Sequence, residues 1–304
     1  MKRVVYRTLP DKSFRLVQPF HVSLEGLKTA IICRDEKDYD AVEKILCICS
    51  KRKNVLIIIY TIVSNHAHIG VLSEKQQDAD AYAREIKRMI GMWVRSRYGE
   101  GRLMKGMDAK ALWLDNDWYV RNALAYIPRN ILDNGGNINE YRWSGYGAMF
   151  HGKEQFQNPS FRKVSSLNKR EKATLLHTCD NLDDVPWLID GDGYLVPSSF
   201  CDNEYLEQVF EGDQSYFLRM IGGVNAAEMH QKLIESPRAM VPDSECYKTM
   251  NDISVRWFKM PLPELPLEKK IRIIPYVYRT MCTSVPQMAR VFGLDRNQIA
   301  AILK

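Results

Sequence analysis

The chain has 304 residues, 45% apolar content and a net charge of +6, which is typical of a soluble protein with a main domain and a smaller appendage. Its longest apolar run, Val55–Val63, is far shorter than the ~18 residues that cross a bilayer. The N-terminal segment lacks the apolar core of a signal peptide. Seven cysteines without a C-x-x-C spacing favour reduced thiols. We therefore expect a cytoplasmic protein with no membrane partner.

Strand and helix patterns fill the first half of the chain. Five strands are predicted, at Phe14–Leu24, Thr29–Cys33, Val55–Val63, Ala67–Leu72 and Ala109–Leu114. Between them lie a helix at Glu36–Arg52, capped by Asp35, and a helix that begins at Asp78 or Asp80 and runs to Arg97, ended by Gly99–Gly101. A third helix follows the last strand and is capped by Asp115 or Asn116. This order predicts an α+β fold in which helices pack on one mostly antiparallel sheet.

Two histidines stand out in the run YTIVSNHAHIGVLS, which spans Tyr60–Ser73. His66 and His68 are two residues apart in a strand pattern, so both imidazoles leave the same face of the sheet. Two adjacent imidazoles on a rigid strand are half of a divalent-metal site. The alternative is a pair of structural histidines, and a packed or hydrogen-bonded role is the interpretation that we prefer for His21, in the first strand.

The helix that begins NDWYVRNALAYIPRN adds an amide and a phenol. Tyr126 and Asn130 are four residues apart and so share one helical face. With the two histidines, the Asn130 oxygen would complete a three-ligand site beside a tyrosine nucleophile, and open positions would remain for a phosphate oxygen and water. Alternatively Tyr126 is a core aromatic residue and Asn130 a C-terminal cap. Pro128 cannot donate to the Leu124 carbonyl and predicts a kink between Tyr126 and Asn130.

Three stretches resemble one family in order and spacing, over roughly residues 15 to 150. The run YTIVSNHAHIGV resembles the His-hydrophobic-His region of HUH nucleases. DNDWYVRNALAYIPRN resembles the Tyr-Ile-x-x-Asn segment of REP-associated tyrosine transposases, and YRWSGYGAMF (Tyr141–Phe150) resembles their Tyr-x-Trp-Ser-x-Tyr signature. Family members usually have a proline just after the motif asparagine, whereas here Ile131 follows Asn130.

This resemblance implies a ferredoxin-like HUH domain at residues 1–150 that cleaves and transfers single-stranded DNA through a 5′-phosphotyrosine. By it, His66, His68 and Asn130 correspond to ligands of Mg²⁺ or Mn²⁺, and Tyr126 to the catalytic tyrosine. Tyr119, seven residues earlier, is the second candidate nucleophile. The alternative function is a non-catalytic DNA-binding regulator derived from a transposase. A rolling-circle replication initiator is disfavoured because the chain has no helicase motif.

A basic run between Arg84 and Lys105 is a candidate DNA-binding surface, with Trp93 and Tyr98 interleaved as groups that could stack on bases. Its cations are Arg84, Lys87, Arg88, Arg95, Arg97, Arg102 and Lys105. The alternative is a solvated helix face with one aromatic residue in the core. The expected partner is single-stranded or hairpin DNA.

Beyond the motifs we expect an accessory, mostly helical region at residues 151–260 and a helical DNA-binding-like region at 261–304. In the latter, Ser284 and Asp295 are candidate caps of two short helices joined at Gly293. Arg296, Asn297 and Gln298 begin the second helix, where a helix-turn-helix places its base-reading residues. The pattern predicts duplex DNA recognition, or else a plain helical hairpin.

Overall fold

The fold was analysed in a computed structural model of the chain. The structure describes residues 3–25, 27, 30–100, 103–150, 158–223, 243–281, 283 and 285–303.

One antiparallel sheet of five strands forms the centre of the fold. The strands are β1 (Val5–Thr8), β2 (Phe14–Glu25), β3 (Leu56–Ile62), β4 (Ala67–Ser73) and β5 (Asp108–Trp113). The long strand β2 pairs with β4 along one edge, and with β1 and then β5 along the other. Since β4 also pairs with β3, the strand order is β5-β2-β4-β3.

Two helices cover one face of this sheet. Helix α1 (Glu36–Lys53) lies between β2 and β3 in the chain, and α2 (Gln76–Tyr98) lies between β4 and β5. Asp35 caps α1 by accepting from the Asp38 amide, and Gly99 ends α2 with a φ of 73°. The apolar stripes of both helices share one core with Val22, Ile69 and other side chains of the sheet. The predicted α+β fold with an antiparallel sheet is confirmed.

Helix α3 (Asp117–Asp133) packs on the opposite face. Asn116 caps it, and its Val120 and Leu124 share a second core with Ile59 and Leu72 of the sheet. The helix continues through Pro128 to its end at Asp133. Pro128 therefore does not end the helix, and Tyr126 and Asn130 lie within one helix; the predicted kink between them stays a prediction.

Residues 158–223 lie against both faces of the sheet domain. Their elements are β6 (Arg162–Lys163), α4 (Lys169–Leu176), β7 (Leu188–Ile189), α5 (Asn203–Val209) and α6 (Gln214–Gly223). Val164 and Trp187 join the core under α1 and α2, while Phe210 and Phe217 join the core under α3. The boundary between the domains near residue 150 stays a prediction.

The last four helices have a core of their own. They are α7 (Asp243–Phe258), α8 (Leu267–Thr280), α9 (Val285–Phe292) and α10 (Arg296–Leu303). Gly293, with a φ of 66°, makes the turn between α9 and α10. Asp243 joins this bundle to the sheet domain: it accepts a hydrogen bond from Ser64 at 2.5 Å and two from Arg290 at 2.8 and 2.9 Å.

Two features at the N-terminal end differ from the sequence prediction. The predicted strand Thr29–Cys33 does not form: Ala30–Cys33 is irregular, and the amides of Ile32 and Cys33 donate to the Ser64 carbonyl instead. Thr29, Gly26 and the candidate cap Ser284 lie outside the described residues. Strand β1 was missed, and it forms because the Leu9–Ser13 turn folds it back on β2.

Among the described residues, no helix combines the length and the apolar character that a membrane span requires.

Glu43 on α1 is a buried carboxyl whose protonation we expect to control stability. It accepts a hydrogen bond from the Tyr60 hydroxyl at 2.5 Å, and burial raises its pKa from 4.5 to about 8. Because the pKa is higher in the folded state, its contribution is complete below about pH 4.5 and is lost as the pH rises towards 8. Glu43→Gln, which stays neutral and still accepts from Tyr60, should match the wild type at about pH 4 and exceed its stability at about pH 8.5.

Urea unfolding across this range measures the effect. The difference in unfolding free energy between Glu43→Gln and the wild type should grow by up to about 1.4 kcal/mol per pH unit. A difference that does not change with pH would mean that Glu43 is ionised in the folded chain.

Candidate active site between strand β4 and helix α3

His66 and His68 lie side by side at the beginning of β4. His68 is the second residue of the strand and pairs with Ser23 of β2, whereas His66 lies in the turn just before the strand. The two ring centroids are 5.2 Å apart. The prediction that both imidazoles share one face is confirmed, and that face is the one on which α3 packs.

Gly70 allows α3 to approach these histidines. A Cβ atom at this position would lie 2.7 Å from Leu124 Cδ2 and 3.3 Å from Ile127 Cδ1, which is closer than side chains pack. The absent side chain therefore lets α3 lie directly on β4. This contact brings Asn130 and Tyr126, on the same helix, to the edge of the histidine pair.

The His66 ring faces an amide oxygen at each of its two nitrogens. The Asn130 amide nitrogen donates to the Tyr126 carbonyl at 2.8 Å, so its Oδ1 faces His66 Nε2 at 3.3 Å. On the other side of the ring, the Asn65 amide nitrogen donates to the Leu27 carbonyl, and its Oδ1 lies 2.8 Å from His66 Nδ1. A neutral His66 ring can donate to only one of these two oxygens, and the shorter contact favours Nδ1 as the donor, which leaves a lone pair on Nε2.

This arrangement suits a cation between His66 Nε2 and Asn130 Oδ1. Burial lowers the pKa of His66 and favours the neutral ring. With the proton on Nδ1, the Nε2 lone pair faces the Asn130 oxygen, and a positive charge between these two atoms would stabilise the contact. Adjacent ligands of an octahedral ion at ~2.1 Å are about 3 Å apart, close to the 3.3 Å found here. Imidazole nitrogen and amide oxygen both bind divalent ions such as Mn²⁺.

The candidate ligands of the cation include the side-chain amide of Asn130. Within the part of the chain that the structure describes, no group of three or more His, Cys, Asp and Glu side chains is arranged to hold a metal ion. The two imidazoles of His66 and His68 with the Asn130 oxygen form the set that the sequence predicts.

Tyr126 lies against the histidines and is still open to solvent. Its ring centroid is 5.2 Å from that of His68, and 40% of the residue is exposed. Burial of the rest raises the pKa of the phenol, so Tyr126 is protonated at neutral pH. Tyr119 is as exposed, at 38%, but its ring stacks on Trp118. Of the two candidate nucleophiles, Tyr126 is the one in contact with the histidines.

His21 of β2 is a member of this cluster that the sequence interpretation left out. Its Nε2 lies 3.1 Å from His68 Nδ1, and its ring is 6.2 Å from that of Tyr126. Burial lowers the pKa of His21 to about 4, so it too is neutral at pH 7. The preferred interpretation as a hydrogen-bonded residue is correct as far as it goes, but the partner is one of the candidate ligands.

The predicted DNA-binding cations on α2 lie across the sheet from this site. Arg84, Arg88 and Arg95 are exposed. Lys87 donates to the Met107 carbonyl, and Arg97 pairs with Asp35 and Asp38. Arg102 lies outside the described residues.

The aromatic residues of the basic run have a structural role. Trp93 and Tyr98 both donate to the buried carboxylate of Asp38, at 2.8 and 2.7 Å, and Arg97 stacks on both rings. These hydrogen bonds hold α2 on the N-terminal turn of α1. Both rings are therefore engaged within the protein, whereas the solvated-helix alternative placed one aromatic residue in the core.

The residues predicted to read duplex DNA lie at the start of α10. Arg296 and Asn297 are exposed. Gln298 is exposed as well, but its side-chain oxygen accepts from the Asp295 amide at 2.9 Å as part of the helix cap. The two short helices predicted for this segment form as α9 and α10.

Comparison of the chain with protein-family models, with curated proteins and with solved structures gives no match.

The contact at Gly70 leads to a prediction about how α3 is held. Gly70→Ala should cost about 1–3 kcal/mol of unfolding free energy, because the new methyl group pushes Leu124 and Ile127 away from β4. Gly222→Ala is the matched control, since a Cβ there meets nothing within 4 Å. Chemical denaturation of both variants measures the effect. Equal stability of Gly70→Ala and the wild type would show that α3 does not need this close approach.

Proposed function

We propose that this protein is a metal-dependent transposase of the single-tyrosine HUH type, an endonuclease that cleaves single-stranded DNA and transfers the strand. One observation carries the proposal: Tyr126, exposed to solvent, lies against His68 at the point where His66 Nε2 and Asn130 Oδ1 face each other. A nucleophile, two imidazoles and an amide oxygen are the parts that such a phosphodiester exchange requires.

The architecture supports the same assignment. The order βαββαβ from β2 to β5, with the strand order β5-β2-β4-β3, is that of a ferredoxin-like domain. The histidine pair lies at the start of a central strand of this sheet, and the tyrosine comes from α3, the helix that follows β5. Together with the resemblance of three ordered motifs to REP-associated tyrosine transposases, this favours the transposase over an unrelated hydrolase.

The proposed exchange needs no nucleotide. The Tyr126 oxygen attacks the scissile phosphorus, a new P–O bond to the tyrosine forms, and the P–O3′ bond breaks. The tyrosine loses its proton and the departing 3′ oxygen gains one, so one ester replaces another. A divalent ion at His66, His68 and Asn130, when bound, would polarise the phosphate and favour the phenolate.

The contacts around the site prepare it for this step. Asn65 orients the His66 ring, and the carbonyls of α3 orient the Asn130 amide, so the donor atoms need little rearrangement. Tyr126 is a helical residue on a packed helix, which limits its motion towards the histidines. Its exposed fraction leaves room for a DNA strand.

A covalent protein–DNA adduct tests this function. Wild-type protein with Mn²⁺ should attach to labelled single-stranded DNA from its own flanking sequence, and Tyr126→Phe should lose attachment while its stability and DNA binding change little. Tyr119→Phe is the matched control, because that residue is equally exposed but stacks on Trp118. Gel analysis and mass spectrometry of the adduct identify the residue that is modified.

Each failure has a separate meaning. An adduct on Tyr119 would overturn the assignment of Tyr126. A wild-type protein that binds DNA and Mn²⁺ but forms no adduct with any strand would support the alternative, a non-catalytic regulator.

Recognition of duplex DNA by the C-terminal helices can be tested with point substitutions. Deletion of residues 284–304 is unsuitable because Met288, Phe292 and Ile299 belong to the core of this bundle. Arg296→Ala should weaken binding to the target duplex and lower the slope of log affinity against log salt by about 0.9 if it contacts one phosphate. Cleavage of short single strands should not change. Unchanged duplex affinity and slope, measured by fluorescence anisotropy, would assign α10 a packing role.

A further inference from the structure

The two candidate metal ligands are held in the same way, each through Nδ1. His66 Nδ1 contacts Asn65 Oδ1 at 2.8 Å, and His68 Nδ1 contacts His21 Nε2 at 3.1 Å. Metal-binding histidines generally donate one ring N–H to a protein acceptor, which fixes the tautomer and the ring orientation of the other nitrogen. Asn65 is an ordinary acceptor for this purpose, whereas a neutral imidazole is an unusual one.

His21 is held more rigidly than a loop residue would be. It lies in the middle of β2, where its backbone pairs with Gly70 of β4 and with Leu112 of β5. Its ring centroid lies 5.1 Å from that of His68, with an angle of 30° between the two planes, as expected for two rings that meet edge to edge through a nitrogen of each. The acceptor is therefore fixed by two strand pairings, and its position relative to His68 follows from the register of the sheet.

We propose that His21 is a positioning residue: its Nε2 accepts the Nδ1 proton of His68 and leaves the lone pair of His68 on Nε2, available to a metal ion. His21 then carries its own proton on Nδ1. Both histidines of the pair acquire the same tautomer, one through an amide oxygen and one through an imidazole nitrogen. The inference rests on the proposed metal site, and it assigns a role to a residue outside the three motifs.

The geometry argues against His21 as a third ligand. The ring nitrogen that faces His68 is Nε2, 3.1 Å from His68 Nδ1, and in the proposed tautomer its lone pair is directed at the His68 N–H rather than at an ion. A nitrogen that accepts this proton cannot bind a metal at the same time. His21 consequently acts through His68.

Substitution of His21 separates an acceptor from a space-filling side chain. His21→Leu keeps apolar volume but removes the acceptor, whereas the side-chain oxygen of His21→Gln can take the place of Nε2. Calorimetric titration of the full chain with Mn²⁺, in the absence of DNA, should show 10- to 100-fold weaker binding for His21→Leu. The Mn²⁺ affinity of His21→Gln should stay within about threefold of the wild-type value. Ser23→Ala, which changes a neighbour of His21 on β2, should bind Mn²⁺ as tightly as the wild type.

Nitrogen NMR of the metal-free protein tests the tautomer directly. In the wild type, His68 should be protonated at Nδ1 and not at Nε2, and His21→Leu should populate both tautomers. This measurement remains decisive if His21→Leu fails to fold, because the wild type and His21→Gln suffice. A wild-type His68 with its proton on Nε2 would overturn the inference.

The two proposals fail separately. If the wild type binds Mn²⁺ and His21→Leu binds it equally well, the role of His21 is wrong and the metal site stands. If the wild type binds no divalent ion, the proposed function fails, and the NMR result still decides whether His21 sets the tautomer.

Discussion

The site depends on the close packing of helix α3 against strand β4. Leu124 and Ile127 occupy the space that a side chain at position 70 would fill, and the nearest of their atoms would be 2.7 Å from its Cβ. Protein interiors pack densely, so a shift of α3 by the width of a methyl group would separate Asn130 from His66. The position of Asn130 beside His66 is thus set by an apolar contact about one helical turn away.

Polar contacts then aim the atoms that the packing brings together. Backbone carbonyls of α3 orient the Asn130 amide, and the Leu27 carbonyl orients Asn65. With the His66 proton on Nδ1, His66 Nε2 and Asn130 Oδ1 are two acceptors that face each other at 3.3 Å. Such a pair is costly inside a protein, and the proposed cation between the two atoms would remove the cost.

The C-terminal bundle is connected to the loop that carries the histidines. Asp243 is buried, and it binds both Arg290 of α9 and Ser64, two residues before His66. Removal of one partner from a buried charged pair costs several kcal/mol, so this contact keeps the bundle beside the loop. The charge of Asp38 on the other side of the sheet is satisfied in a comparable way by Arg97, Trp93 and Tyr98.

The sequence by itself determined the main helices and strands of the first domain and the pairs His66–His68 and Tyr126–Asn130, because strand and helix periods are local properties. It missed β1 and predicted a strand at Thr29–Cys33, since an edge strand depends on its partner and the Ala30–Cys33 backbone bonds to a loop. Only the tertiary structure decided the place of His21, 47 residues from His68 in the chain. Which residue of β2 lies beside His68 depends on the pairing register of two strands, and the pattern of either strand alone does not specify that register.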